Sequence, residues 1–296
     1  MSITLAAAML AGAFASLHIN AGAAGGVSYI DRSWNGASVA EEVKSCPSYS
    51  TIGSQNDLTI GNGGWYVVNG DATISNRVTV TGTANIILLS GTLTCSDGIR
   101  LSNGNTLNIY PGSSSEGTIT AKIKGDDYAN IGGNEDETCG TLNFHGGTLN
   151  AENDSIWTYG AAIGGGEKGG AGDLSFYGGT VNAKNNGSGL VKFSTGAAIG
   201  SGGFEENKAP TGSVNIYGGE ITARCDRYST AAAIGGGEES KCPPINILGG
   251  KVTVESSEGA GIGVGQEGIS DTVTIRNAVI DAEGDRRRQQ RQQYIH

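Results

Sequence analysis

Two kinds of side chain recur in this sequence at near-regular intervals, and both are types that do chemistry. The first is acidic: Glu135, Glu167, Glu205, Glu238 and Glu267, with Asp136, Glu137, Glu206 and Glu239 beside them. Carboxylates brought together repel unless a cation bridges them, and calcium is the ion that such oxygen ligands take. A solvated acidic edge is the reading that needs no ligand. The second is aromatic: Tyr110, His145, Tyr177 and Tyr217, with Leu248 and Arg276 at the equivalent places further on. Glycines follow each of the four rings closely and leave space beside them. Rings on a shallow polar surface are what stacking against a sugar requires. A stack of side chains that only steadies neighbouring strands is the alternative.

The elements that must carry these residues are read from repetition. "ANIGGNEDETCGTLNFHGGTLNA", "AAIGGGEKGGAGDLSFYGGTVNA" and three further variants share one pattern, marked by Ile131, Ile163, Ile199, Ile234 and Ile262. The steps are 32, 36, 35 and 28 residues, the period of a solenoid. Inside each unit apolar and polar residues alternate as in strands. The inward pairs of one strand are Leu142/Phe144, Leu174/Phe176, Val214/Ile216, Ile245/Ile247 and Val273/Ile275. Five residues on come Leu149/Ala151, Val181/Ala183, Ile221/Ala223, Val252/Val254 and Ile280/Ala282. No helical period competes, and Gly-Gly pairs would break a helix in every unit.

Shorter units lie upstream, in "RVTVTGTANIILLSGTLTC" and "GIRLSNGNTLNIYPGSSSEGTITA", preceded by "WYVV" and "ATIS". The expected fold is an all-β solenoid, a parallel β-helix of about seven coils of three short strands over residues 65–284. Its rungs bury one continuous apolar column. Each well-buried aliphatic or Phe side chain contributes roughly 1.5–3 kcal/mol.

"WYVVNGDATISNRVTVTGTANIILLSGTLT", "GIRLSNGNTLNIY" and the "AAIGGG…YGGTVNA" units resemble the glycine-rich repeats of secreted and surface proteins of gut anaerobic bacteria. The resemblance covers about Val27 to Glu283. It implies a right-handed parallel β-helix of the pectin-lyase-like type and the carbohydrate-binding label such proteins often carry. It brings no catalytic motif.

β-Helix enzymes that cleave polysaccharides set paired carboxylates, or calcium carboxylates with a basic residue, on outward positions of adjacent rungs. Here those positions hold Asn143, Ser175, Asn215, Asn246 and Thr274 on one strand. On the next they hold Thr148/Asn150, Thr180/Asn182, Glu220/Thr222, Lys251/Thr253 and Asp281. Only Glu220, Lys251 and Asp281 ionise, and Glu220 and Lys251 are placed for a salt bridge across neighbouring coils. His145 has no evident nucleophile beside it. The pattern leans away from catalysis, with a lyase or glycoside hydrolase as the alternative and a purely structural spacer as a second. "TLT" at Thr92–Thr94 and "TIT" at Thr118–Thr120 start a flat threonine face of the ice-binding kind, which breaks at Glu220 and Lys251. "GGAGDLSF" lacks the nine-residue period of RTX calcium repeats.

The 296-residue chain has 51 glycines and a net charge of −10. Asp285 to His296 carry four arginines and one aspartate, a net +3, so the rest carries −13. An acidic body argues against nucleic acid and anionic membranes as partners. Beyond the N-terminus no stretch is apolar and long enough to insert in a bilayer. "ITLAAAMLAGAFASL" followed by "AGA" reads as a signal peptide over residues 1–23, without its basic start. The expectation is a secreted or cell-surface binding or adhesion module that contacts a polysaccharide or host glycan. Residues 24–64 lack the coil pattern and read as an N-terminal cap over the open end, with "ASVAEEVKS" as a short helix. The basic tail 285–296 reads as disordered and leaves the last coil open to self-association. Cys95 falls on an inward position. Cys225 and Cys242 could pair, Cys46 and Cys139 have no evident partner, and no C-x-x-C of a zinc site exists.

Overall fold

In a computed structural model, residues 26–283 are described, apart from 124, 154, 156, 187–192, 205–211 and 226–227. The expected signal peptide and basic tail lie outside them. The described residues form strands and turns and no helix, so none crosses a membrane as a helix.

Period-2 alternation becomes three parallel sheets of eight, nine and eight strands. Each coil gives one strand to each sheet in turn. Coil 1 is Thr59–Gly61, Gly64–Asn69 and Ala72–Ile74; coil 8 is Ile262–Gly263, Val273–Ile275 and Val279–Glu283. There are eight coils where about seven were expected. The extra strands lie upstream of Trp65, in the segment assigned to the cap: Thr59–Gly61 opens coil 1, and Ser50–Thr51 extends the second sheet before it. Their buried Ile52, Leu58 and Ile60 belong to the main core. Their shortness hid the period.

The expected register holds throughout. Ile131, Ile163, Ile199, Ile234 and Ile262 are successive partners. Phe144 pairs with Phe176 and Phe176 with Ile216. Leu149, Val181, Ile221, Val252 and Ile280 follow one another in the third sheet. Through coil 7 these side chains are fully buried. Coil 8 is the last rung among the described residues, and there Val273 and Ile275 are 41% and 46% exposed.

The glycine after each marker isoleucine is a packing requirement. Gly132, Gly164, Gly200 and Gly235 have φ of 145°, 140°, 144° and 139°. A Cβ there would lie 1.8–1.9 Å from the carbonyl oxygen of the corresponding glycine one coil on. Both the left-handed backbone and the close approach exclude larger residues.

The expected end cap takes another form. β1 (Val27–Trp34) and β2 (Val39–Cys46) make an antiparallel hairpin. An Asx turn closes it: Asn35 Oδ1 accepts from the N–H groups of Ala37 and Ser38, both at 2.9 Å, and Gly36 has φ 97°. "ASVAEEVKS" is therefore turn and strand, not helix; cross-strand pairing outweighs the helix preference of its Ala and Glu residues. The hairpin lies along the outer face of the second sheet, where Tyr29, Cys46, Val67 and Ile87 form a second small core.

Candidate functional site

The four ring candidates stand on the outer face of the second sheet, one per coil from coil 3 to coil 6. Parallel pairing holds them in line, and they stack on one another. Ring centroids are 4.3 Å apart for Tyr110 and His145, 5.0 Å for His145 and Tyr177, and 5.1 Å for Tyr177 and Tyr217, with planes 16–21° from parallel. Trp65 continues the stack past Tyr110 at 5.5 Å, and Trp34 of the hairpin continues it past Tyr217 at 5.2 Å. A sugar needs the free face of a ring. Within this row the faces are turned to each other, so an open row of sugar platforms is not what the geometry offers.

The space expected beside the rings is filled in part by the hairpin. Arg32 lies against Gly146 and Gly178: a Cβ on either would meet its guanidinium, at 2.3 and 3.2 Å. It donates to the His145 carbonyl oxygen at 2.5 Å and pairs with Glu41 at 2.6 Å. Tyr29 packs on Tyr110 and Trp65 at 4.8 and 5.0 Å. Val39 reaches Gly218.

His145 Nδ1 lies 3.2 Å from Asp31 Oδ1, 3.2 Å from the Arg32 amide nitrogen and 2.8 Å from the Arg32 carbonyl oxygen. A His–Asp pair is half of a nucleophilic triad. Here the imidazole is 7% exposed and sandwiched by tyrosines. Burial holds its pKa down at about 4, against the pull of Asp31. It serves as a joint between hairpin and solenoid.

The acidic recurrence does not stack as one row. Backbone pairing aligns Asp136 with Lys168, Phe204, Glu239 and Glu267. Glu135, Glu167 and Glu238 share the adjoining row, interrupted by Gly203, and Glu205 lies outside the described residues. Glu267 is thus one place out of register with the other three, because the turns differ in length. Lys168 Nζ stands 3.3 Å from Glu135 and 3.8 Å from Glu167, where a bridging cation would go. Arg100 pairs with Glu137 and holds that carboxyl below the usual range. Burial raises the carboxyls of Glu167 and Glu238. Among the described residues no three His, Cys, Asp or Glu side chains are grouped to hold a metal ion.

Glu220 and Lys251 form the expected salt bridge at 2.7 Å. The outward asparagines do more than face water. Asn108 donates to Asn85 at 2.8 Å, and Asn143 to Asn108, Asn246 to Asn215 and Asn182 to Asn150 each at 2.9 Å. These amide ladders brace neighbouring coils.

Beyond Arg32 the hairpin leaves a groove open. Its turn and start of β2 face the Gly-Gly corners Gly178–Gly179, Gly218–Gly219 and Gly249–Gly250, with Trp34, Tyr177, Tyr217 and Leu248 between. The volume is about 480 Å³. Sequence reasoning found Tyr177 and Tyr217 and missed Trp34 and Arg32. "VSYIDRSWNG" reads as extended around a turn, and its Asn-Gly pair marks a hairpin, but nothing local places that hairpin on the ring row.

A family model of the Beta helix repeat matches residues 145–167, 214–238 and 245–263. No curated protein and no solved structure matches the chain. The repeat match and the three parallel sheets define a β-helix protein, and the architecture fits the right-handed parallel form.

Proposed function

We propose that this chain is a secreted or cell-surface, non-catalytic binding module whose ligand is a glycan. The observation that carries this reading is an outward groove of aromatic rings, tyrosine hydroxyls and bare glycine backbone beside the hairpin. Such a surface offers apolar contact to sugar C–H groups and hydrogen bonds to sugar hydroxyls. The resemblance to glycine-rich surface repeats supports the same direction. Among the described residues several outward carboxylates are matched by cations of a neighbouring rung, Glu220 by Lys251, Glu255 by Arg224 and Glu135 by Lys168, which favours binding over hydrolysis or elimination. The mutual stacking of the rings favours a second reading, a structural spacer with no ligand.

Incubating the full chain with immobilised and soluble polysaccharides tests both. Retention on at least one glycan with no new reducing ends or unsaturated products is the expected result. Product formation overturns the non-catalytic reading, and retention on none leaves the spacer.

A further inference from the structure

We infer that the groove at the hairpin turn is the glycan contact itself and that it takes a short, uncharged segment of sugar chain; this rests on the reading above. Four observations converge there.

The first is the order of the ring stack. Rings from Tyr110 to Tyr177 have a ring neighbour on each side. Trp34 ends the stack beyond Tyr217, and the next coil supplies Leu248 in place of a ring. The end of the stack, not its length, is where aromatic surface borders open space.

The second is size. About 480 Å³ of shallow space open to solvent accommodates a few sugar units against one face.

The third is the floor. Gly219 and Gly250 have φ of 92° and 83°. Each is a corner position that resists a side chain, so the floor stays bare, while the carbonyls of Gly179, Gly219 and Gly250 accept from the amides of Glu220, Lys251 and Val279 on the next coil.

The fourth is charge. Arg32 is engaged by Glu41 at 2.6 Å and by the His145 carbonyl, and at the rim Lys251 is engaged by Glu220 at 2.7 Å. The two charges in the lining, Arg32 and Glu41, offset each other, so the lining itself carries no net charge to select a uronate or sulfated sugar. Ser38, Tyr177 and Tyr217 bring hydroxyls, which suit hydroxyl-rich neutral sugars.

The hairpin and coils 5 to 7 both line the site, so it exists only with the hairpin docked. Calorimetric titration of the full chain with neutral hexasaccharides of glucose, mannose, xylose and N-acetylglucosamine, and with oligogalacturonate, tests the assignment. Two variants accompany it: Trp34→Ala, which removes the ring, and Ala37→Trp, which fills the groove from the exposed turn without touching the stack. The expected result is that at least one neutral hexasaccharide binds. Ala37→Trp then weakens it tenfold or more with an unchanged melting temperature, Trp34→Ala weakens it too, and oligogalacturonate binds no tighter. Wild-type affinity in a folded Ala37→Trp variant overturns the groove assignment and leaves glycan binding standing. Tighter binding of oligogalacturonate overturns the neutral class. Binding of no glycan overturns the inference and the proposed function together.

Discussion

Trp34 of the hairpin and Tyr217 of coil 6, 183 residues apart in the chain, stack with ring centroids 5.2 Å apart and planes 21° from parallel. Each coil of a solenoid touches only its neighbours, so stability is a sum of local terms. The hairpin breaks that rule by linking Trp65 of coil 1 to Tyr217 of coil 6. Trp34→Ala removes a pair worth about 0.5–1.5 kcal/mol beyond its buried area. Hydrogen exchange should quicken in β1, β2 and the coil 6 strand Gly212–Ile216 and stay unchanged in Val78–Thr81 of coil 2. Uniform acceleration along the solenoid would show that the hairpin is not a local brace.

His145 makes that brace sensitive to acid. Burial depresses its pKa to about 4 from the ordinary 6.5, and Asp31, Arg32 and Lys44 act on it from the hairpin. The folded state therefore binds its proton less readily than the unfolded chain. Stability from this site is fully present above about pH 6.5 and is lost as pH falls towards 4, by an amount on the order of a few kcal/mol. His145→Gln should flatten the fall in melting temperature between pH 6.5 and 4. An identical pH profile in wild type and variant would remove His145 as the cause.

What was legible before the fold was the part written locally. Alternation placed Leu174 and Phe176 inward and Ser175 and Tyr177 outward, and the parallel register agrees. The spacing of Ile163 and Ile199 placed them as partners despite variable turns. Three things were not legible. Glu267 fell out of row with Glu135 because turn length, not residue type, sets the stack. Ala37 to Ser45 read as a short helix because the strand that overrides its local preference lies outside the segment. The closure of the ring row depended on Arg32 lying across Gly178, a contact between segments more than a hundred residues apart that no local pattern carries.

Phe176 tests the core. It is fully buried, with Phe144 at 6.5 Å between ring centroids and 62° between planes. Phe176→Ala should cost about 3–5 kcal/mol through lost burial and the cavity left behind. A shift of the urea midpoint corresponding to less than about 1 kcal/mol would mean that the column repacks freely.

Gly164 tests the rung spacing. Its φ is 140°, and a Cβ would stand 1.8 Å from the Gly200 carbonyl oxygen. Backbone cannot yield as a flexible side chain would, so Gly164→Ala should destabilise coils 4 to 6 more than an alanine at the exposed Ser28 does. Melting temperatures of the two variants decide it, and equal values would contradict the packing argument.

The five cysteines give the last test. All are buried and none is joined in a disulfide, including Cys225 and Cys242, for which a disulfide was an open expectation. Cys225 donates to the Ala232 carbonyl at 3.4 Å and Cys242 to that of Pro243 at 3.2 Å. Burial pushes the thiols of Cys95 and Cys139 up to about 12 and that of Cys242 up to about 11. The thiolate is the reactive form, so at pH 8 a native chain should react with almost no thiol reagent. Unfolding in denaturant without reductant should release five equivalents. A count of three would reveal a disulfide, and fast reaction of the native protein would show that the column opens far more readily than its packing allows.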